Sequence, residues 1–311
     1  MVQPTSVAVI DIGSNSIKSL VVARLADGTL EARHARALDA RISAGLGQSE
    51  PRLGEDGMAR GLAAIHTLLT ETAGFAPAHT VLVATSAVRD AANGADFCRR
   101  IRATTGHTVR LLSGEEEAAL IGRGLTCDPA LAALGNFYVF DLGGGSLECL
   151  SFRDRILGQA VSLPLGCVRM TEKFIRDPAA PLVTAECNAL ALHVRDTLKA
   201  SGFRFRLHRT EAVFTGGSMT TVRALTGAQH GVKFEDTPAH VLTDTLRFLL
   251  DELAPLPLAA RQAIPGMPAA RADVLPAALV TMLALAEHGE LTGFHHSLYN
   301  LRWGLAAEAL A

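Results

Sequence analysis

Two stretches of the chain repeat one order of reactive residues. Val7-Ala-Val-Ile-Asp11-Ile-Gly13-Ser14-Asn15-Ser16 and Phe137-Tyr-Val-Phe-Asp141-Leu-Gly143-Gly144-Gly145-Ser146 each set four apolar residues before an Asp, an apolar residue and a Gly-containing turn that ends in Ser. The apolar run suits a buried strand, and alternation resumes after the Ser, so each stretch reads as a hairpin. A turn of this kind lets backbone N–H groups approach an anion, the Ser hydroxyl adds a donor, and the Asp can hold a metal-bound water. The candidate phosphate holders are therefore Ser14, Asn15 and Ser16 in the first copy and Gly143, Gly144, Gly145 and Ser146 in the second. One such hairpin alone is best explained by turn chemistry. The matched order in both copies points to function, with the two hairpins expected to face each other across a cleft and hold a phosphate chain from both sides.

Three further features add to this set. Thr215-Gly216-Gly217-Ser218 is a third Gly-rich turn, passing from a strand into a helix, where N-terminal amides can take an anion. Arg89 follows the apolar strand Thr80–Thr85 and can point its planar fork at a phosphate; the alternative is a surface pair with Asp90. Ser113-Gly-Glu115-Glu116-Glu117 opens a helix with Ser113 as N-cap. Capping needs one carboxylate, so three leave room for a catalytic one, and acidic neighbours at 115 and 116 are expected to raise the pKa of Glu117.

Composition narrows the classes. At 311 residues, 49% hydrophobic and 19% charged, the chain has room for about two globular domains. The formal net charge of −2 excludes a generally basic nucleic-acid binder, so an anionic substrate needs a local patch. Candidates are Arg99-Arg100-Ile-Arg102, the run Arg204 to Arg209, and Lys173 with Arg176, each of which suits a solvated face when taken singly. The apolar run Ala277–Ala286 is too short to span a bilayer and reads as a core helix. The N-terminus Met1-Val-Gln-Pro-Thr-Ser lacks a signal-peptide pattern, and a cytoplasmic location with no membrane partner is expected. Five widely spaced cysteines without a CxxC pair indicate neither disulfides nor zinc. His295 and His296 read as a solvated or hydrogen-bonded pair, since no acidic or Cys partner lies nearby at ligand spacing.

Strands alternate with helices along the whole chain, which means layered α/β architecture. Helices are expected over 58–74, 95–104, 184–200, 238–253 and 272–288. The run 255–268, with four prolines, reads as a loop or broken helix.

Six segments in order then resemble the exopolyphosphatase / guanosine pentaphosphate phosphohydrolase (Ppx/GppA) family. They are Asp11–Ser16, Ala84–Ala91, Leu112–Ala118, Asp141–Glu148, Leu163–Arg169 and Arg271–Val274. The resemblance implies two ribonuclease H-like domains of the actin, sugar-kinase and chaperone superfamily, with an inter-domain cleft. The first would cover 1–125, with the C-terminal segment of about 298–311 returning to it, and the second 126–297, as in the short two-domain form. It also implies Glu117 as catalytic base, Asp141 and Glu148, with Asp11, around a divalent metal, and Asn15, Arg89, Gly143 to Ser146, Gly216, Gly217 and Ser218 along the phosphate path. The metal would be Mg²⁺, or Mn²⁺ in its place. Four departures concern substrate choice: Ala119 where Arg is frequent, Leu147 where Thr is usual, and Leu298 and Trp303 where polar residues are common.

Phosphoanhydride hydrolysis needs an in-line water, a group that orients or deprotonates it, and cations or amides around the equatorial oxygens. Glu117 suits the first task, and Arg89 with the two turns suits the second. The implied substrate is inorganic polyphosphate or guanosine pentaphosphate, with no nucleic-acid polymer as partner and a homodimer as the expected assembly. Aromatic residues at 5% lean toward the polymer. The rivals are an ATP-dependent kinase of the same superfamily and a non-catalytic phosphate or alarmone sensor.

Overall fold

The computed structural model describes residues 5–43, 51–206 and 210–311. Met1 to Pro4 of the N-terminus, and His208 and Arg209 of the expected basic run, lie outside the described residues. The chain divides into two compact units, Met1–Ala133 with Tyr299–Ala311, and Leu134–Leu298.

The first unit is built on β1 (Ser6–Ile12), β2 (Ser16–Arg24), β3 (Leu30–Asp39), β4 (His79–Ala84) and β5 (Val109–Leu111), in the sheet order β3-β2-β1-β4-β5. The β1–β2 and β2–β3 pairs are antiparallel, whereas β1–β4 and β4–β5 are parallel. Central β1 is buried on both faces along Val7–Ile10, which is why it reads as an unbroken apolar run. The helices are α1 (Glu55–Ala73), α2 (Ser86–Asp90), α3 (Gly94–Thr105) and α4 (Gly114–Thr126). Met58, Ile65 and Leu68 of α1 and Phe97 and Ile101 of α3 close a core over Ile10, Ile12 and Ile17.

The second unit holds β6 (Phe137–Leu142), β7 (Leu147–Arg153), β8 (Ile156–Leu163), β9 (Glu211–Thr215), β10 (His240–Leu242) and β11 (Gly293–His296), in the order β10-β11-β9-β6-β7-β8. Read from β8, its first five strands repeat the directions of the first sheet: β8–β7 and β7–β6 antiparallel, β6–β9 and β9–β11 parallel. The duplicated motif therefore sits on a duplicated ribonuclease H-like topology, and the second copy adds β10, antiparallel to β11. Its helices are α5 (Cys167–Phe174), α6 (Thr184–Ala200), α7 (Gly217–Gln229), α8 (Thr243–Leu253), α9 (Leu258–Gln262) and α10 (Leu275–Gly289). Residues Leu275–Ala286 of α10 are buried all round against α5, α6 and α8, so its apolarity is that of a core helix. Among the described residues no helix is long and apolar enough to cross a membrane.

The last helix, α11 (Leu301–Ala309), packs on α4 in the first unit. A Cβ at Gly124 would fall onto the Asn300 carbonyl and one at Gly304 onto that of Leu120, so the two helices meet at backbone distance. Arg110 of β5 pairs with Glu308 of α11 at 2.7 Å.

Two helix expectations are corrected. The segment expected as a helix from Pro238 starts as strand β10, because His240-Val-Leu pairs with β11, and the helix begins at Thr243. The helix expected from Ala272 begins at Leu275, with Pro276 in its first turn, where a missing N–H is harmless.

Candidate active site

In the first hairpin the turn's carbonyls are tied back to the protein. Ser14 O accepts from Ser43 N at 3.2 Å and Ser43 Oγ at 3.0 Å, while Asn15 O accepts from Ala40 N at 3.1 Å and Arg41 N at 2.8 Å. Ser14, Asn15 and Ser16 are all buried. The Ser14 and Ser86 hydroxyls lie 3.5 Å apart, which joins this turn to the start of α2. Asn15 Oδ1 accepts from Arg41 Nε at 3.3 Å, and its buried Nδ2 has no hydrogen-bond acceptor among the described residues. A buried amide donor left over in this way is one a ligand oxygen can satisfy.

Residues 86 to 117 contribute a charged pair. Thr85 is the N-cap residue of α2, whose fourth residue is Arg89. From there Arg89 Nη1 donates to Glu117 Oε2 and to Leu112 O, both at 3.0 Å, and Arg89 Nε lies 3.4 Å from Asp90 Oδ1. The Asp90 contact is that of the surface-pair reading, whereas the bond to Glu117 belonged to neither reading of Arg89. At the start of α4, Ser113 and Glu116 form a reciprocal capping box, and Glu116 also pairs with Arg110 at 3.2 Å. The Ser113 amide and Arg110 hold the Glu116 carboxyl below the usual range. Glu115 and Glu116 are exposed, whereas Glu117, one position further round the helix, is buried. Glu116 is committed to capping and to Arg110, and Arg89 sets a guanidinium against Glu117.

The second hairpin repeats the device of the first. Gly143 O accepts from Cys167 N at 3.0 Å, Gly144 O from Val168 N at 2.9 Å and Arg169 N at 3.1 Å, and Gly145 O from Arg169 Nε at 2.9 Å. The first turn of α5 therefore takes the carbonyls. Among the described residues the amides of Gly144 and Gly145 have no carbonyl acceptor, which leaves them as the groups a phosphate oxygen can use. This docking needs Gly166, because a Cβ there would fall inside the backbone of Gly144 and Gly145.

Asp141 and Glu148 stand directly opposite each other on β6 and β7, and so on one face of the sheet. Glu148 is buried, with Oε1 accepting from Ser162 Oγ at 2.7 Å. Two adjacent carboxylates offer the hard oxygen donors that Mg²⁺ or Mn²⁺ takes, directly or through water, so this pair fits the expected metal. Asp11 differs. Its cross-strand partner is Lys18, and burial pushes its carboxyl up from the usual range, opposed by Lys18 and Arg302. Within its own unit Asp11 has cations nearby, but its burial outweighs them.

The third turn is packed from two sides. Gly216 has φ +97°, a backbone favouring glycine, and a Cβ there would come within 2.6 Å of Asp141 Oδ1. The Arg271 guanidinium lies against Gly217, where a Cβ would overlap it. Ser218 is buried and hydrogen-bonded with Cys167, whose thiol burial pushes up. Arg271 and Arg169 are additions to the candidate residues. Both stood in segments of the family resemblance without an assigned role, and only the folded chain sets one beside Gly217 and the other on Gly145.

The family model of the Ppx/GppA phosphatase family matches residues 21–311. An uncharacterized protein of Streptomyces coelicolor is 31% identical in a 277-residue alignment that covers 85% of this chain and 78% of that one. Two solved structures share the fold. The PPX-GPPA enzyme of Aquifex aeolicus superimposes with a TM-score of 0.78 at 24% identity over 98% of this chain and 99% of that one. An exopolyphosphatase from Cytophaga hutchinsonii gives 0.88 at 21% identity over 98% of each. With its two actin-like α/β units and these matches along nearly its whole length, the chain belongs to the Ppx/GppA phosphatase family.

Proposed function

We propose that the protein is an exopolyphosphatase, releasing terminal phosphate from inorganic polyphosphate by Mg²⁺-dependent hydrolysis. The observation that carries this reading is Glu117: a buried carboxylate at the start of α4, held by Arg89 Nη1 at 3.0 Å and freed from the capping task by Glu116. A carboxylate fixed in this way can orient a water and accept its proton, with Ser14, Ser16 and Ser146 as hydrogen-bond donors rather than nucleophiles. The amides of Gly144 and Gly145, the leftover Asn15 Nδ2 and the remaining capacity of the Arg89 fork suit phosphoryl oxygens. Asp141 and Glu148 would hold Mg²⁺, whose charge would stabilise that building up on the phosphate.

Polyphosphate is favoured over a nucleotide by where the aromatic side chains go. Phe140, Phe203, Phe214 and Phe294 are spent on the core of the second unit, and neither hairpin turn contains an aromatic residue to stack on a base. Guanosine pentaphosphate ends in the same anhydride and is the alternative substrate. Purified protein with Mg²⁺ is to be offered polyphosphate, guanosine pentaphosphate, or ATP with candidate acceptors, and free phosphate measured. Release from polyphosphate at the highest kcat/KM supports the proposal. Higher kcat/KM on guanosine pentaphosphate, phosphoryl transfer to an acceptor, or no turnover at all would each replace it with the corresponding rival.

A further inference from the structure

The pairing of β10 with β11 puts two imidazoles side by side. Hydrogen bonds join the pairs Ala239–His296 and Thr243–Thr292, so in the alternation of an antiparallel ladder His240 and His295 form a non-hydrogen-bonded pair, the closer kind. Their ring centroids are 4.6 Å apart. His295 is also level with Val213 of parallel β9, and Glu211, two residues earlier, shares that face. Phe294 and Phe214 point into the core on the opposite face. Glu211 Oε2 lies 2.9 Å from His295 Nε2, and one donor atom from each of Glu211, His240 and His295 falls within 4.8 Å of the others. This corrects the expectation that His295 lacks an acidic partner: the partner comes from another strand. Gly293 sits diagonally to His240 on the same face, and a Cβ there would stand 3.0 Å from His240 Nε2, so this glycine leaves the imidazole its room.

We propose that Glu211, His240 and His295 form a site for a divalent transition-metal ion, distinct from the Asp141–Glu148 carboxylate pair. The donor set is two imidazole nitrogens and one carboxylate oxygen, which selects Zn²⁺, Ni²⁺ or Cu²⁺ over Mg²⁺. In a tetrahedral zinc site ligand atoms stand about 3.4 Å apart, as bonds of about 2.0–2.1 Å require, so side-chain rotations of about an ångström close the group and leave a fourth position for water. An ion pair with Glu211 uses one nitrogen of His295; a metal uses His240 as well. The bound ion would link β9 to β10 across β11 and clamp a three-residue strand at the sheet edge.

The test is zinc uptake by chelator-stripped full-length protein in millimolar Mg²⁺, which keeps the carboxylate pair occupied. Wild type should bind one more equivalent of Zn²⁺ than the His240→Ala/His295→Ala double variant. Glu211→Gln should weaken that equivalent by at least about 10- to 100-fold, the loss that even outer partners of a metal ligand produce. Equal stoichiometry in wild type and double variant would overturn the site. Should the double variant fail to fold, Co²⁺ absorption of wild type decides: d–d bands of a four-coordinate nitrogen and oxygen site support it, and their absence overturns it.

Discussion

Replacing Glu117 by Gln separates the catalytic reading of the acid cluster from the capping one. Gln keeps the shape of Glu and can still accept from Arg89 Nη1, but it cannot take a proton. Loss of a positioned general base costs roughly 10²- to 10⁴-fold in rate. That corresponds to about 3–5 kcal/mol of barrier. The fold should tolerate the change. Arg89 keeps its bond to Leu112 O at 3.0 Å and its contact with Asp90 at 3.4 Å, so the loss is the difference between a charged and a neutral acceptor, about 1 kcal/mol. Against a stability of roughly 5–15 kcal/mol this leaves the protein folded, and a hundredfold loss of turnover cannot come from unfolding. Glu116→Gln loosens the helix start, because Glu116 closes the capping box, and Glu115→Gln alters an exposed side chain; both should keep turnover within a few-fold of wild type. The assay is Mg²⁺-dependent phosphate release at saturating polyphosphate, with polyphosphate binding measured separately. Near-wild-type turnover in Glu117→Gln, or the same loss in all three variants, would refute the assignment of the base.

Arg89→Ala should lower kcat as well as raise KM, because Arg89 holds Glu117; removing a hydrogen bond to a charged group is worth about 1.5–3 kcal/mol, or roughly 10- to 100-fold in kcat/KM. Steady-state kinetics on polyphosphate check this, and unchanged kcat would mean that Glu117 is positioned without it. Gly166→Ala forces the second hairpin off α5 and should cost about 1–3 kcal/mol of stability together with most turnover, read by urea denaturation and phosphate release. His296, buried beside Arg223 Nη1 at 3.1 Å, has its pKa lowered by burial and by that charge to about 3, from the ordinary 6.5. Being neutral when folded, it supports stability fully above pH 6.5 and progressively less as pH falls toward 3, by roughly 1.4 kcal/mol per pH unit inside that window. His296→Asn, which keeps an acceptor for Arg223, should flatten that part of the pH dependence in denaturation curves from pH 4 to 7; an unchanged slope would count against a neutral buried His296.

Local features were legible in the chain and distant pairings were not. The two hairpins could be read because strand, Asp and turn lie within ten residues, and Glu117 could be singled out because one carboxylate suffices to cap α4. Arg89 was visible as a residue, but its grip on Glu117 depends on β4 and β5 bringing α2 beside α4. Strand β10 was hidden because His240-Val-Leu runs straight into a helix, and only pairing with β11, far along the chain, makes it extended. Arg271 belonged to a segment of the resemblance, yet nothing local sets its guanidinium on Gly217.

The duplication carries its own argument about the division of labour. Both hairpins tie their turn carbonyls back to the protein, and in the second this leaves the amides of Gly144 and Gly145 for an anion. At the same offset after the shared Asp, however, the first copy places Lys18 and the second Glu148. A carboxylate opposite a carboxylate repels unless a cation joins them, whereas an ammonium opposite a carboxylate favours its charged form, here against the larger effect of burial. Together with the change from Ser14-Asn15 to Gly144-Gly145 in the turn, the change from Lys18 to Glu148 would, on the proposed mechanism, suit the second copy to a cation and the first to anionic oxygen, the asymmetry that a metal-assisted phosphate reaction needs.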